Sequence, residues 1–201
     1  KILFTEKHLK SGELQPSPRM MQPFGINQFR RQEPFLVRDS LVTFYWRNNK
    51  NASRVMLSGS FNQWSTEAMP MQKTDSGWIL TVALPPGKHW YKFIVDGNWT
   101  VHTDNTQKEN DGLGNINSVY YKTNHIIRLD SFANARKVLV AGSFNGWNER
   151  ELALQKTDRG WSLPIYLEEG THTYRFIVDG RWMADPFNPD KWPNEFGEFN
   201  S

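Results

Sequence analysis

Short apolar runs, each ended by a turn signal, follow one another from about residue 41 to the end of the chain. Leu41–Trp46 is rich in β-branched and aromatic residues, and Trp78–Leu84 alternates in its apolar side chains before two prolines stop it. His89–Val95 also alternates, and the Asp-Gly pair that follows it lies between apolar flanks, which is a strong hairpin signal. No 3.6-residue apolar period persists over the length of a helix. The pattern therefore predicts an all-β protein.

The same pattern occurs twice along the chain. The stretch Gly59–Trp64 (GSFNQW) returns as Gly142–Trp147 (GSFNGW), and Tyr91–Trp99 returns as Tyr174–Trp182, both at an offset of 83 residues. Without a gap, residues 55–117 and residues 138–200 share 27 identities in 63 positions, where chance would give about four. Two copies at this spacing indicate a pair of modules of about 80 residues, since a solenoid needs at least three short repeats.

Each copy predicts six or seven short strands with turns every eight to twelve residues, a pattern typical of an Ig-like β-sandwich. We expect modules at residues 38–122 and 123–201, with residues 103–112 as a loop and a second-copy strand over His172–Val178. The second copy stops at Ser201, which aligns with Ser118. Two interpretations remain open: the chain continues, or the second module closes with a shortened strand.

Residues 1–37 have no clear period, and their prolines disfavour a helix. We expect an extended arm or linker that packs along a sandwich edge, while a peptide that docks a protein partner stays open as an alternative. The chain begins with Lys1 rather than Met, from which we expect that an upstream segment was cleaved or omitted.

Composition excludes several classes of protein. The net charge of the 201 residues is +3 with both signs interspersed, and no apolar stretch approaches the length of a membrane span. Cysteine is absent, which excludes disulfides, thiolate metal sites and cysteine nucleophiles. The histidines do not have the spacing of metal ligands. We therefore expect no metal, no cofactor and no membrane span.

The aromatic content is high at 14%, with nine tryptophans, and some of these recur beside polar residues. Both copies keep a Trp after the SFN turn, a cation in mid-strand, a Trp after the hairpin and an Asn opening the last strand: Trp64, Lys92, Trp99 and Asn117, then Trp147, Arg175, Trp182 and Asn200. Trp78 and Trp161 are expected in the cores because they alternate in register with apolar residues. An outward indole beside a cation and an amide suits a sugar, whose C–H face stacks on the ring while its hydroxyls bond to the polar groups.

These motifs resemble those of the family 48 carbohydrate-binding modules, and most closely the glycogen-binding domain of the AMP-activated protein kinase β subunits. The resemblance is carried by Gly59–Trp64, by the hairpin Tyr91–Trp99 and by Leu113–Asn117, and it covers both copies. It implies early-set Ig-like sandwiches that bind α-1,4-glucans. In the first copy it assigns the sugar-cradling tryptophans to Trp64 and Trp99, hydroxyl bonding to Lys92, Asn115 and Asn117, and a wedge in the curve of the glucan to Leu113.

The second copy departs from this pattern at three positions. The resemblance carries the site over to Trp147, Trp182 and Asn200, while Arg175 replaces Lys and Phe196 replaces the Leu wedge. Glu198 stands where a small polar residue is usual, and an acceptor-only carboxylate beside a neutral sugar must be desolvated. We expect the second copy to bind more weakly or to prefer another glucan shape.

Other classes of function compete with glucan binding. Glycoside hydrolysis needs two carboxylates about 5–10 Å apart across one bond, and the acidic residues scatter along this chain, so we expect no catalytic residues. Two alternatives remain: a regulatory scaffold that uses the modules for protein contact, and the non-catalytic part of a larger amylase-like enzyme. Because no Lys/Arg stripe forms, we expect no nucleic-acid partner.

Overall fold

The computed structural model describes residues 22–28, 35–38 and 40–201. Contacts between Cα atoms divide the described chain into two compact units: one contains Asn27–Lys122, and the other joins Pro23–Ile26 to Thr123–Ser201. Apart from two 3₁₀ turns at Ser60–Asn62 and Ser143–Asn145, every regular element of the described residues is a β-strand. The prediction of an all-β protein is thereby confirmed. No helix in the described ranges has the length and apolarity needed to cross a membrane.

The strand β1 (Phe24–Gly25) belongs to the second unit, and nine further strands form the described part of the first unit. These are β2 (Phe35–Arg38), β3 (Leu41–Trp46), β4 (Val55–Gly59), β5 (Gln72–Thr74), β6 (Gly77–Ala83), β7 (Gly87–Val95), β8 (Asn98–Thr100), β9 (Lys108–Asn110) and β10 (Ile116–Lys122). One antiparallel sheet has the order β2-β3-β6-β5. The other has the order β4-β7-β10-β9, with β8 also paired to β7.

The core of the first unit lies between these two sheets. Alternate residues of β3 (Val42, Phe44 and Trp46) are buried against Tyr91 and Phe93 of β7, because successive side chains of a strand point to opposite faces. The Phe44 and Tyr91 ring centroids are 5.1 Å apart in an edge-to-face arrangement. Trp78 is buried in the same cluster, as predicted. This packing of two antiparallel sheets is a β-sandwich.

The second unit repeats the arrangement. Its other described strands are β11 (His125–Leu129), β12 (Val138–Gly142), β13 (Leu152–Ala153), β14 (Gln155–Thr157), β15 (Gly160–Leu167), β16 (Tyr174–Val178), β17 (Arg181–Met183), β18 (Trp192–Pro193) and β19 (Phe199–Asn200). Strands β1, β14 and β11 pair with β15, and a second sheet has the order β13-β12-β16-β17. Trp161, also predicted to be a core residue, is buried among Leu129, Val140 and Phe176.

Two described parts of the predicted arm are extended strands at sheet edges. Phe24 of β1 pairs with Leu167 of β15, and its ring centroid is 6.2 Å from that of Phe144. Strand β2 pairs with β3 from Phe35↔Phe44 to Arg38↔Leu41. Of residues 1–37, only 22–28 and 35–37 belong to the described residues, and the module boundaries at residues 38 and 123 stay a prediction.

Two predicted element boundaries are wrong. Strand β9 lies within the stretch predicted as a loop. Its Lys-Glu-Asn sequence at a sheet edge shows no apolar alternation, so the apolar pattern did not predict a strand there. In the second unit β16 begins at Tyr174 and not at His172. Tyr174 exchanges both backbone hydrogen bonds with Ser201, whereas the pairing of β7 with β10 extends back to Gly87. The length of each strand follows the length of its ladder.

A polar cluster is buried within the first core. The Tyr91 hydroxyl is hydrogen-bonded to His102 Nδ1 at 2.8 Å and accepts a hydrogen bond from Asn105 Nδ2 at 3.0 Å. Burial, assisted by the positive charges of Arg47 and Lys108, lowers the pKa of His102 from 6.5 to about 3. The folded first unit therefore keeps this imidazole neutral in mild acid.

This histidine should make the first unit sensitive to acid. Its folded pKa lies below its unfolded pKa of 6.5, so the unfolded chain binds the proton first and stability is lost as the pH falls below 6.5. We expect a loss of up to about 1.4 kcal/mol per pH unit from this group. Chemical denaturation of His102→Gln should show a shallower pH dependence than the wild type, with His125→Gln, at an exposed site, as the control. Parallel pH profiles of the wild type and His102→Gln would contradict this.

Candidate functional site

An Asp-Gly hairpin places one tryptophan of each copy on the outer sheet face. Asp96 and Gly97 both have positive φ, 47° and 85°, as the predicted type I′ turn requires. The Asp96 carboxylate accepts the backbone N–H groups of Ser53 and Arg54, each at 2.9 Å. Beyond the turn Trp99 pairs with Ile94, opposite to the core-facing residues of β7, and its side chain is 46% exposed. In the second copy Asp179 accepts the N–H groups of Arg136 and Lys137 in the same way.

The SFN turn places the other tryptophan. The Asn62 side-chain oxygen accepts the Gly59 N–H at 2.9 Å, and the Trp64 N–H donates to the Gly59 carbonyl at 3.0 Å. A Cβ atom at residue 59 would lie 2.4 Å from the Trp90 carbonyl oxygen, so this position requires glycine. Trp64 adopts a left-handed backbone conformation with φ of 58°, which is uncommon for a bulky residue. The turn brings the centroids of Trp64 and Trp99 to 6.2 Å, with their planes tilted by 56°.

A small second cluster supports Trp64 from behind. Trp64 packs against Trp90, Val119 and Tyr121, which are buried on the outer side of the sheet. Trp90 Nε1 donates to Glu109 Oε2 at 2.8 Å, and the Lys88 ammonium lies 2.5 Å from the same oxygen. This support was not predicted, although the alternation along His89–Val95 is consistent with Trp90 on the face opposite to Tyr91 and Phe93.

A tight loop presents the predicted wedge residue. Leu113 is 86% exposed between β9 and β10. The Asp111 carboxylate organises this loop: it accepts the backbone N–H groups of Leu113 at 2.7 Å and Asn115 at 3.1 Å, and also the Asn115 side-chain amide at 2.7 Å. The hydrogen bond from the Asn115 side chain is the main cause that lowers the pKa of Asp111. This role of Asp111 was not predicted from the sequence.

The two remaining predicted residues lie on the same outer face but differ in access. Lys92 is half-buried, and its ammonium group forms no ion pair within the described ranges. The pairing Ser118↔Tyr91 places Asn117 beside Lys92 on the next strand. Asn117 is only 3% exposed, so its amide belongs to the floor of the site, beneath the exposed side chains. The pairing and packing thus bring Trp64, Lys92, Trp99 and Asn117 to one face, while Leu113 and Asn115 lie on the loop between β9 and β10.

The second copy forms a cleft of about 660 Å³ on the corresponding face. It is lined by Trp147, Arg175, Trp182, Asn194, Glu195, Phe196, Glu198 and Asn200. Trp147 and Trp182 are each 37% exposed, and the guanidinium carbon of Arg175 lies 5.8 Å from the Trp182 ring centroid. The cleft therefore contains every residue predicted for this copy. Asn194 and Glu195, which were not predicted, line it as well.

The loop with Leu113 has an acid followed by an amide, Asp111 and Asn115, whereas the matching loop of the second copy has an amide followed by an acid, Asn194 and Glu198. Asn194 stands at the position of Asp111, and its side-chain oxygen accepts the N–H groups of Phe196 at 3.1 Å and Glu198 at 2.9 Å. The carboxylate moves to the position of Asn115, where Glu198 forms an ion pair with Arg175. This hydrogen bond is the main cause that lowers the pKa of Glu198. Glu198 was expected to be a carboxylate beside the sugar that must be desolvated, and its ion pair with Arg175 was not predicted.

Four acidic residues of the described chain make structural contacts. Asp96 and Asp179 hold turn backbone, Glu109 supports Trp90, and Asp104 lies 3.5 Å from the Arg47 guanidinium. Within the described ranges, no group of three or more His, Asp or Glu side chains could hold a metal ion. The arrangement offers stacking surfaces and hydrogen-bonding groups.

The fold and its two aromatic sites define a class: β-sandwich modules of the carbohydrate-binding type. A sequence profile described as "Glycogen recognition site of AMP-activated protein kinase" matches residues 41–126 and again residues 127–201. Because the two matches together cover most of the chain, the protein belongs to this family.

Similar proteins with curated descriptions are β subunits of the same kinase. The mouse β-2 subunit of 5'-AMP-activated protein kinase is 39% identical over 75 residues, covering 37% of this chain and 27% of that protein. The bovine β-1 subunit is 38% identical over 117 residues, covering 58% of this chain and 40% of the subunit. The chain thus spans less than half the length of these two relatives. Among solved structures, a maltogenic amylase from S. marinus aligns with 81% of this chain and 29% of its own, at 14% identity and a TM-score of 0.36.

The exposure of Trp99 leads to a test of its placement. Because Trp99 lies on the outer face, Trp99→Ala should change the free energy of unfolding by no more than about 1 kcal/mol. Trp78→Ala, the buried match in the same unit, should cost about 3–5 kcal/mol because it leaves a cavity. Thermal and chemical unfolding of both variants measure this. A Trp99→Ala protein as destabilised as Trp78→Ala would show that Trp99 is a core residue.

Proposed function

We propose that the protein binds α-1,4-glucans without catalysis, through one site in each module. The observation that carries the proposal is the paired indoles of the first module, Trp64 and Trp99, whose centroids lie 6.2 Å apart on the solvent-facing side of the sheet. The second copy repeats the pair as Trp147 and Trp182 around its cleft. Membership of a glycogen-recognition family supports the choice of ligand.

The proposed binding combines stacking with hydrogen bonds. The C–H faces of glucose units pack on the tilted indoles, and the Lys92 ammonium and Asn115 bond to hydroxyls. Most of the surface of Leu113 is exposed to solvent. A side chain that protrudes in this way suits the concave side of a curved glucan better than a flat chain. Burial of one indole face over roughly 50–100 Å² contributes about 1–2 kcal/mol, so each site should bind in the micromolar to millimolar range.

The two modules should differ in strength. In the first site the Lys92 ammonium has no ion-pair partner within the described ranges, so it can bond to a hydroxyl without breaking a contact. In the second site Arg175 is bound to Glu198, and a sugar hydroxyl must compete with a carboxylate for it. This difference supports the first module as the stronger one.

A second candidate function follows from the relatives. They are named as subunits of a kinase, and this chain spans only part of their length. The modules would then serve as a scaffold in a larger assembly, with protein contact as the primary role. A further possibility of the same kind is that they are the non-catalytic part of a larger amylase-like enzyme. Glucan binding by the isolated chain separates the first proposal from a purely protein-binding scaffold.

Affinity electrophoresis tests the proposed ligand. The chain should migrate more slowly in a glycogen gel than in a plain gel, while carboxymethylcellulose should leave its mobility unchanged. Trp99→Ala and Trp182→Ala should each weaken the retardation, and the double variant should abolish it, because each removes a stacking surface from one module. Unchanged mobility of the wild type in glycogen would refute the proposal.

Exchanging the acid and the amide tests the ranking of the modules. In a Trp99→Ala background, Asn194→Asp with Glu198→Asn should strengthen maltoheptaose binding by about threefold to tenfold, since Arg175 is released. In a Trp182→Ala background, the reverse exchange Asp111→Asn with Asn115→Glu should weaken binding by a similar factor.

The control for this exchange is Glu195→Gln, which removes another carboxylate from the same cleft and should leave the affinity within about twofold. Calorimetric titration measures all variants. If the chain with Asn194→Asp and Glu198→Asn binds maltoheptaose no more tightly than the chain that keeps the ion pair, the ion pair does not limit the affinity of the second module.

A further inference from the structure

The second unit carries a third exposed tryptophan beside its cleft. Trp192 of β18 is 58% exposed, and it pairs directly with Asn200 of β19. Directly paired residues of an antiparallel ladder point to the same face of the sheet, about 4.5–5.5 Å apart at Cβ. Asn200 lines the cleft together with Trp147 and Trp182. Trp192 therefore lies on the face that carries the cleft, one strand beyond its Asn200 wall.

The first unit uses the matching position differently. There Glu109 pairs with Asn117 in the same register, and its carboxylate binds the Trp90 indole and the Lys88 ammonium. Both partners are replaced in the second unit, where Thr171 and Thr173 stand at the matching positions. The internal role of Glu109 thus has no counterpart, and an indole stands in its place, exposed to solvent.

We propose that Trp192 is an additional stacking platform that extends the second site toward longer α-glucan chains. This inference rests on the proposed function. The chain in the cleft would pass over Asn200 and reach the indole one strand spacing, about 4.8 Å, further out. A glucose unit there gains an apolar surface that the first module does not offer at Glu109.

The chemistry around Trp192 favours a sugar over an apolar partner. A single indole beside the Asn200 amide offers one stacking face with polar groups at its edge, which matches an amphipathic pyranose. Its ladder partner Asn200 lines the cleft, which already presents two indoles and the Arg175 cation. A glucan that fills the cleft therefore needs no new site to contact Trp192, only additional length.

The length of the ligand provides the test. In the full chain with Trp99→Ala, which silences the first site, maltotriose and maltoheptaose are titrated by calorimetry. Trp192→Ala should weaken maltoheptaose binding by about tenfold, that is about 1.4 kcal/mol, and leave maltotriose within about twofold. Trp192→Phe, which keeps a stacking face, should restore most of the loss. Phe187→Ala, which removes another exposed aromatic of the same unit at 61% exposure, should change neither titration.

Each result decides the proposal. A loss confined to maltoheptaose supports it, whereas an equal loss for both sugars, or no loss, overturns it. If Trp182→Ala abolishes both titrations while Trp192→Ala changes neither, the second site stands and only the extension fails. If the Trp99→Ala chain binds neither sugar, the second module is not a glucan site, and the extension falls together with that part of the proposed function. Thermal unfolding of each variant checks that the fold is retained.

Discussion

The alternation of side chains along β7 and β16 couples the core of each unit to its outer site. In β7, Tyr91 and Phe93 close the sandwich, while Lys92 between them faces outward. The antiparallel register then brings Asn117 and Trp99 to the same outer side. A slip of one residue would turn the site inward and expose the core rings, so the apolar packing of the sandwich also fixes which residues a ligand can meet. The site depends on the core for its geometry.

The sequence predicted the features that depend on local pattern. Alternation distinguished the buried Trp78 and Trp161 from tryptophans that are exposed, such as Trp99. The Asp-Gly pairs predicted hairpins, and both central residues of each hairpin have positive φ. The missed features depend on partners distant in sequence. Strand β9 has no apolar period, and the support of Trp90 by Glu109 exists only because β9 and β7 both flank β10. The pairing of Glu198 with Arg175 likewise joins two elements that no local pattern relates.

The two copies have the same backbone arrangement around the site, but the charged side chains stand at different positions. Asp111 and Asn194 each accept two backbone N–H groups of the loop that carries Leu113 or Phe196, so either an acid or an amide can hold this loop. Once the amide holds the loop, the carboxylate at Glu198 is not needed for the backbone and binds the neighbouring cation instead. The fold therefore does not require the carboxylate at one particular position. The backbone of the site can stay the same while its polarity changes.

The backbone of the SFN turn separates what the fold requires from what it tolerates. Position 63 in the first copy is Gln with φ of 56°, and its match is Gly146 with φ of 60°, so the second copy relieves strain there with glycine. The next residue is tryptophan in both copies, at φ of 58° and 61°, a conformation that a bulky side chain adopts at a cost of order 1–3 kcal/mol. A glycine or asparagine would suit that backbone better. In the first copy the packing of Trp64 on Trp90, Val119 and Tyr121 offsets part of this cost. The proposed glucan site gives a second reason for the residue, because it needs an exposed indole at that point in both copies.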